Sequence, residues 1–318
     1  MPVMVTGGSG FIGSRIVRKL VERGQQVVSF DLAPPRPNMQ PLLDKIAFYK
    51  GDVTQMPQLL EAARGHGVTR VIHMAALLPP ESEEPPERGM RVNVQGTNNV
   101  FELARWAGLE RVVYASSISC YGGQEAYGQR PVTEEDPTNP ANVYGMTKVA
   151  NDFSAASYSR RYGLDIRGIR ICTVFGHGRT TGATGLIGGL LISNPAVGKS
   201  VELPFRREEP LSMINVEDAA ELFVRTALSD ALRHPLYLTG GHLTTLGEMA
   251  DLVRSFIPHA SITLGEATRP HVHLVDNSLM LADIGYEMPP LRRRILDQIN
   301  EARLESNIEL IPYSPPPS

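Results

Sequence analysis

A tyrosine and a lysine stand four residues apart in Tyr144-Gly145-Met146-Thr147-Lys148. On a helix that spacing puts both side chains on one face, one turn apart. An ammonium beside a phenol favours the phenolate and lowers its pKa, so the pair has the chemistry of a general base working near neutral pH. Such pairs are common on helices by chance, and their surroundings must carry the argument. Upstream, the apolar run 112–115 leads into Ser116-Ser117-Ile118-Ser119. In a parallel sheet the C-terminal ends of the strands face the ligand crevice, where a hydroxyl can bond an alcohol or carbonyl oxygen. Three serines in four positions leave open which one does so.

A second set of residues has the chemistry of a phosphate cradle. Thr6-Gly7-Gly8-Ser9-Gly10-Phe11-Ile12-Gly13 follows a short apolar run and opens a helical pattern. Glycines there let the backbone turn tightly and approach a pyrophosphate, while the helix N-terminus offers free N–H groups and a positive dipole end. A glycine pattern alone is weak, and its strand-to-helix setting makes it specific. Asp31 closes the next apolar run, near the spacing at which an acid binds the ribose hydroxyls of a dinucleotide. A carboxylate there repels a 2′-phosphate and favours NAD over NADP, although Arg36 follows closely enough to reach a phosphate. A carboxylate that only caps a loop is the alternative for Asp31.

These residues need elements to hold them. Residues 3–5, 27–30, 47–49, 71–73, 112–115 and 166–171 read as buried strands, and helical patterns separate them. Ile12, Ile16, Val17, Leu20 and Val21 recur at helical spacing, and Gly24 stops the run. A helix is expected over 143–162. The pattern is that of βαβ units, hence an α/β fold with a Rossmann-type doubly wound parallel sheet. Residues 1–172 form the expected NAD-binding domain, with a segment returning near 213–233, where 214–228 looks helical. Residues 173–212 and 234–318 form a smaller C-terminal α/β substrate lobe. The tail 311–318 carries four prolines and is expected to fray.

Composition limits the partners. The chain has 318 residues and a formal charge of -3, so no basic surface is implied for nucleic acid or anionic lipid. Two cysteines, Cys120 and Cys172, make no disulfide framework and fit a reducing, cytoplasmic setting. No signal peptide and no membrane-spanning run is read. His73 reads as a packed core residue, and Cys120 as incidental to the chemistry. His271 and His273 would share a strand face, yet two ligands without a cysteine nearby do not make a zinc site, and no metal is expected. Glu81, Glu83 and Glu84, among prolines, read as an exposed loop. His177 and Arg179, at the mouth of a Gly/Thr-rich loop, are candidates for substrate contact, and that loop equally reads as a mobile cover.

Taken together and in order, several segments resemble the extended short-chain dehydrogenase/reductases, the NAD-dependent epimerase/dehydratase group. They are residues 6–13, Asp31, Gly51-Asp52-Val53, His73-Met74-Ala75-Ala76, Asn93-Val94-Gln95-Gly96-Thr97, 115–122, 144–148 and Arg269-Pro270. The resemblance implies that Tyr144 is the acid/base, Lys148 binds nicotinamide ribose hydroxyls, and Ser117 is the catalytic hydroxyl. It implies that Gly7, Gly10, Phe11, Ile12, Gly13 and Asp31 hold the cofactor. It further implies that Asp52 and Val53 meet the adenine, that Ala75 and Ala76 line the groove, and that Asn93 supports the site. Dimers packed through the helix carrying Tyr144 and Lys148 are common in this group, and Ala150, Phe153, Ala155 and Ala156 are candidates for that face.

The match departs at the substrate end. Nucleotide-sugar members use an arginine at the position of Arg269 to clamp a pyrophosphate, which suits a guanidinium fork. They also carry an asparagine where this chain has Thr173, and an Arg-Asp pair where it has Leu211-Ser212. Arg206 or Arg207 could substitute, or could pair with Glu208 and Glu209 on the surface. Ser117, Ser119, Thr173, Arg207 and Arg269 are the candidate substrate contacts. The expected activity is NAD-dependent oxidation of a secondary alcohol on a polyhydroxylated or sugar-acid-like small molecule. A UDP-sugar 4-epimerase with tightly bound NAD comes next, and a non-catalytic nicotinamide-binding regulator last.

Overall fold

The computed structural model describes residues 1–313, so the last five residues of the proline-rich tail lie outside the described residues. Six strands alternate with helices along the first half: β1 (Pro2–Thr6), β2 (Gln26–Asp31), β3 (Ile46–Lys50), β4 (Arg70–His73), β5 (Arg111–Ser117) and β6 (Ile166–Ile171). Six more follow: β7 (Thr173–Phe175), β8 (Val201–Phe205), β9 (Pro210–Asn215), β10 (Leu236–Leu238), β11 (His242–Thr245) and β12 (Ile262–Ala267). Seven of the twelve form one sheet in the order β10-β6-β5-β4-β1-β2-β3, every pair parallel. This is the Rossmann-type α/β arrangement. The chain reverses its direction of winding between β1 and β4, which opens a crevice at the C-terminal strand ends.

Each face of the sheet is covered by its own apolar layer, as a parallel sheet requires. On one face Ile16, Val17 and Leu20 of the Gly13–Glu22 helix meet Leu222 and Phe223 of the Val216–Leu228 helix. Ion pairs sew these two helices together: Arg18 to Glu217 at 2.6 Å, Lys19 to Glu217 at 3.1 Å and Arg23 to Glu221 at 2.6 Å. On the other face lie Leu59, Phe101, Ala155 and Tyr158, from three further helices. A third cluster fills the later chain, where Leu191, Met249, Val253, Ile295 and Ile299 pack around β8, β9 and Phe175. Two small sheets, β11-β9-β7 and β12-β8, belong to that region.

The later chain departs from its sequence pattern in three places. Residues 210–215 are strand β9, and the helix begins only at Val216, where Asn215 Oδ1 accepts the Glu217 N–H at 2.9 Å. Strand β10 returns from beyond residue 234 to pair with β6 at the edge of the large sheet. His271 and His273 sit in irregular chain rather than on a strand. The His271 ring nitrogens face the carbonyl oxygens of Arg269 and Pro210 at 2.9 and 2.8 Å.

Candidate active site

A cleft of about 700 Å3 runs along the C-terminal ends of β1, β2, β4, β5 and β6. Gly7, Gly10, Phe11, Ile12, Gly13, Asp31, Asp52, Val53, Ala75 and Ala76 line one part of it. Ser117, Ser119, Tyr144, Lys148, Thr173 and Arg269 line the other. Two of the expected residues lie elsewhere. Asn93 is fully buried behind the wall. Arg207 is on the surface, ion-paired with Asp251 and half-exposed, so it does not enter the cleft as expected. Its partner on the Leu246–Phe256 helix holds it outward.

The glycine loop is packed as tightly as a phosphate cradle requires. A Cβ at Gly13 would lie 2.0 Å from the Gly7 carbonyl oxygen, and one at Gly7, whose φ is +69°, would lie 2.7 Å from the Ala75 nitrogen. The helix that starts at Gly13 therefore presents bare backbone to the cleft. Asp31 Oδ2 accepts the Ser9 N–H at 2.9 Å, and its Oδ1 accepts that of Ala33 at 3.0 Å. The carboxylate thus braces the glycine loop and also faces the cleft, so the two readings of Asp31 are compatible. Arg36 Nε donates to the Ser9 carbonyl at 2.9 Å, which ties it to the loop's backbone. These features fit a dinucleotide: close backbone, a helix N-terminus for the pyrophosphate and an acid for ribose hydroxyls.

Tyr144 and Lys148 lie on the Val143–Tyr162 helix, which is capped where Asn142 Oδ1 accepts the Gly145 N–H at 2.8 Å. The cap has a second part that sequence reading missed. Glu83 turns inward, and its carboxylate accepts the N–H groups of Val143 at 3.0 Å and Tyr144 at 2.9 Å. Glu81 and Glu84 are exposed as expected, whereas Glu83 anchors the catalytic helix by satisfying free donors at its positive end. Asn93 fixes the same helix from the side. Its side chain exchanges hydrogen bonds with both backbone groups of Leu77 and reaches Thr147 Oγ1 at 3.3 Å. It braces the wall that carries Ala75 and Ala76.

Lys148 Nζ donates to the Ala115 carbonyl at 2.8 Å and stands 5.3 Å from the centroid of the Tyr144 ring. Burial lowers its pKa to about 8, against the pull of Asp152. Burial also pushes the Tyr144 phenol above the ordinary tyrosine value, opposed by the Ser117 hydroxyl and by the charge of Arg179. The spacing argument expected a lowered phenol, and desolvation overturns it here. The groups that oppose desolvation come from β5 and from the loop after β7. Ser117 Oγ accepts the Ser119 N–H and donates to the Ser119 hydroxyl, each at 3.1 Å. His73 and Cys120 are buried in the core, and His73 bonds Thr6 and Thr97 at 2.6 and 3.0 Å.

At the substrate end, Thr173 and Arg269 reach the cleft, and Arg179, Thr184, Cys172 and Leu78 join them. Arg179 lies over the Phe11 ring at 5.6 Å, and its Nη2 and Nε donate to Thr184 Oγ1 at 2.6 and 3.2 Å. Arg269 lies over Phe205 at 5.6 Å, and its buried Nε has no hydrogen-bond partner among the described residues. Leu211 and Ser212, both buried, stay out of the cleft, with Leu211 in the third core cluster.

This geometry agrees with what the chain is similar to. The sequence model of the NAD dependent epimerase/dehydratase family matches residues 3–238. A D-erythronate dehydrogenase of Cupriavidus necator is 30% identical over 237 residues, 70% of this chain and 71% of that protein. A UDP-glucose 4-epimerase of Halalkalibacterium halodurans is 34% identical over 52% of this chain, and the match spans about half (48%) of that protein. The solved UDP-glucose 4-epimerase of Thermus thermophilus in complex with NAD superposes with a TM-score of 0.84 at 26% identity, covering 95% of this chain and 99% of that one. An L-threonine dehydrogenase from Cupriavidus necator shares the fold, with a TM-score of 0.83 at 24% identity over 95% of this chain and 99% of its own. The chain belongs to the NAD-dependent epimerase/dehydratase family and is an NAD-dependent enzyme of the extended short-chain dehydrogenase/reductase type.

Proposed function

We propose that the chain is a net dehydrogenase that oxidises a secondary alcohol on a small polyhydroxylated or sugar-acid substrate and releases NADH. The observation that carries this reading is the burial of Leu211 and Ser212 away from the cleft, at the position where nucleotide-sugar enzymes of this family carry an Arg-Asp pair. A leucine side chain neutralises no pyrophosphate, and Arg269 is left to hold a smaller anion. The similarity to a D-erythronate dehydrogenase supports the same substrate class. The presence of Arg269 in the cleft favours a second reading, a UDP-sugar 4-epimerase that returns the hydride to a bound ketone.

In either reading Tyr144, once its phenol has given up its own proton, takes the hydroxyl proton as the carbinol carbon gives up its hydride. Ser117 and Ser119 hold the reacting oxygen, and Thr173 contacts the substrate beside them. Bound NAD supplies the carbon that accepts the hydride. Gly7, Gly10, Phe11, Ile12 and Gly13 hold its pyrophosphate, Asp31 its adenosine ribose, Asp52 and Val53 its adenine, and Ala75 and Ala76 the groove wall. Lys148 binds the nicotinamide ribose, and Asn93 keeps the wall and the catalytic helix in register. Residues 1–172 with 213–233 and strand β10 act as the cofactor domain, and the remainder as the substrate lobe.

A cytoplasmic homodimer is part of the same proposal. Phe153 on the catalytic helix is 74% exposed and Trp106 on the Gly96–Ala107 helix is 54% exposed, and both are available to such an interface. The two cysteines are free, and no helix among the described residues is long and apolar enough to cross a membrane.

The test is reduced-nicotinamide absorbance with NAD and a panel of sugar acids, polyols and UDP-sugars. Steady NADH accumulation with a non-nucleotide substrate is the expected result. Conversion of a UDP-sugar to its epimer without accumulation would replace this reading with the second.

A further inference from the structure

Arg179 has unusual company for an arginine that is largely out of water. Arg15, which shares the Phe11 ring with it, is matched by an acid, Glu301 at 2.7 Å. Arg179 donates instead to the neutral Thr184 hydroxyl and stacks on Phe11. Among the described residues no carboxylate is ion-paired with it, and burial holds its pKa below the ordinary arginine value. A guanidinium so placed is left with unfilled donors and an uncompensated charge, both of which an anion would satisfy. Thr184 Oγ1 accepts two N–H groups from Arg179, so its own O–H proton remains to be donated. The guanidinium fork and the hydroxyl together match the two oxygens of one carboxylate.

The position matters as much as the charge. Arg179, Thr184, Ser117 and Tyr144 line the same cleft. A carboxylate on Arg179 would therefore share the cleft with the Ser117 and Tyr144 hydroxyls. Resting on the dehydrogenase reading above, we infer that Arg179 and Thr184 form a carboxylate subsite in this cleft, and that the substrate is a hydroxy acid. The reaction balances without a further reagent. The carbinol C–H electron pair passes as hydride to NAD, the O–H proton passes to Tyr144, and an oxo acid, NADH and one proton leave. Arg269, which also lines the cleft, then contacts the hydroxylated remainder of the molecule rather than its anion.

The experiment compares NADH formation from aldonates of four to six carbons, D-erythronate included, with that from the corresponding alditols and aldonamides. Wild type should prefer the acid over its amide by about 100-fold in kcat/KM, the worth of a charge-assisted pair left unmade. Arg179→Met should lose about 100-fold toward the acid, chiefly through KM, and the preference for acid over amide should collapse to within a few fold. Arg179→Lys, or free guanidinium added to Arg179→Met, should restore part of it. NAD affinity measured by calorimetry checks that the variant remains folded. Should the variant not fold, the acid-to-amide ratio of wild type still decides, since a ratio near one removes the subsite. Turnover of an aldonate with an unchanged preference in Arg179→Met would overturn the assignment and leave the dehydrogenase reading standing. Epimerisation of a UDP-sugar with no NADH from any acid would overturn the reading beneath it.

Discussion

Lys148 is a cation held where water scarcely reaches, 3% exposed, with its ammonium on the Ala115 carbonyl at 2.8 Å. Its pKa of about 8 lies well below the ordinary lysine value of 10.5. Between those two values the unfolded chain keeps a proton that the folded protein has released, so stability rises with pH across that window. Below about pH 8 both states are protonated, and the folded state bears the whole cost of burying the charge. At roughly 1.4 kcal/mol per pH unit, that cost is about 3 kcal/mol.

Lys148→Met keeps the length of the chain and removes the charge. The lost hydrogen bond, about 1.5–3 kcal/mol for a charged donor, offsets much of the gain at neutral pH. The informative quantity is therefore how the stability difference changes with pH. Urea unfolding of both cofactor-free proteins, followed by circular dichroism from pH 7 to about 10.5, gives that difference directly. Groups other than Lys148 titrate alike in both proteins and drop out. The variant's relative stability should fall by about 3 kcal/mol over this range, because wild type is relieved of its buried charge and the variant has none to lose. A difference constant to within about 0.5 kcal/mol would show that Lys148 is solvated or paired in solution, and would refute the reasoning.

Tyr144→Phe should cost about 10³-fold or more in kcat while NAD affinity by calorimetry stays within a few fold, as expected when a proton-transfer group is removed from an intact site. Asp31→Ala frees the two N–H groups that it holds at Ser9 and Ala33. KM for NAD should rise about 10- to 100-fold while that for NADP changes little or falls, and an unchanged NAD/NADP ratio would assign Asp31 to loop bracing alone. Glu83→Gln keeps one acceptor for the catalytic helix and removes the charge at its positive end. A loss of about 1 kcal/mol in urea unfolding should accompany a lower kcat, and wild-type stability in the variant would rule out the cap.

The elements were legible because local rules and tertiary packing agree over the first half of the chain. The expected helix over 143–162 has those bounds in the structure, started by Asn142 as a side-chain cap and ended at Gly163, whose φ of +67° suits glycine. The glycine loop was legible for the same reason, since its spacing is dictated by one close approach between Gly7 and Gly13. Beyond Cys172 the strands are short and pair across long sequence distances. The end of β9, Ile214 and Asn215, falls within the helix expected over 214–228, because the apolar pattern Ile214, Val216 suits either period. Glu83 shows the second limit. It owes its role to a contact with a residue 61 positions away, Tyr144, and an acid among prolines reads locally as surface.

The tyrosine shows a third limit, where proximity was read correctly and its sign was not. Four-residue spacing does bring Lys148 to 5.3 Å from the Tyr144 ring centroid. The same packing that joins them removes water from both, and desolvation penalises the phenolate and the ammonium alike. A pattern on one helix specifies which groups meet. The balance between their attraction and their lost hydration depends on every element that closes over them, here β5 with Ser117 and the loop after β7 with Arg179. Acid-base tuning in this protein is thus a property of the assembled cleft, and the loop assigned to substrate binding is also one of the parts that set it.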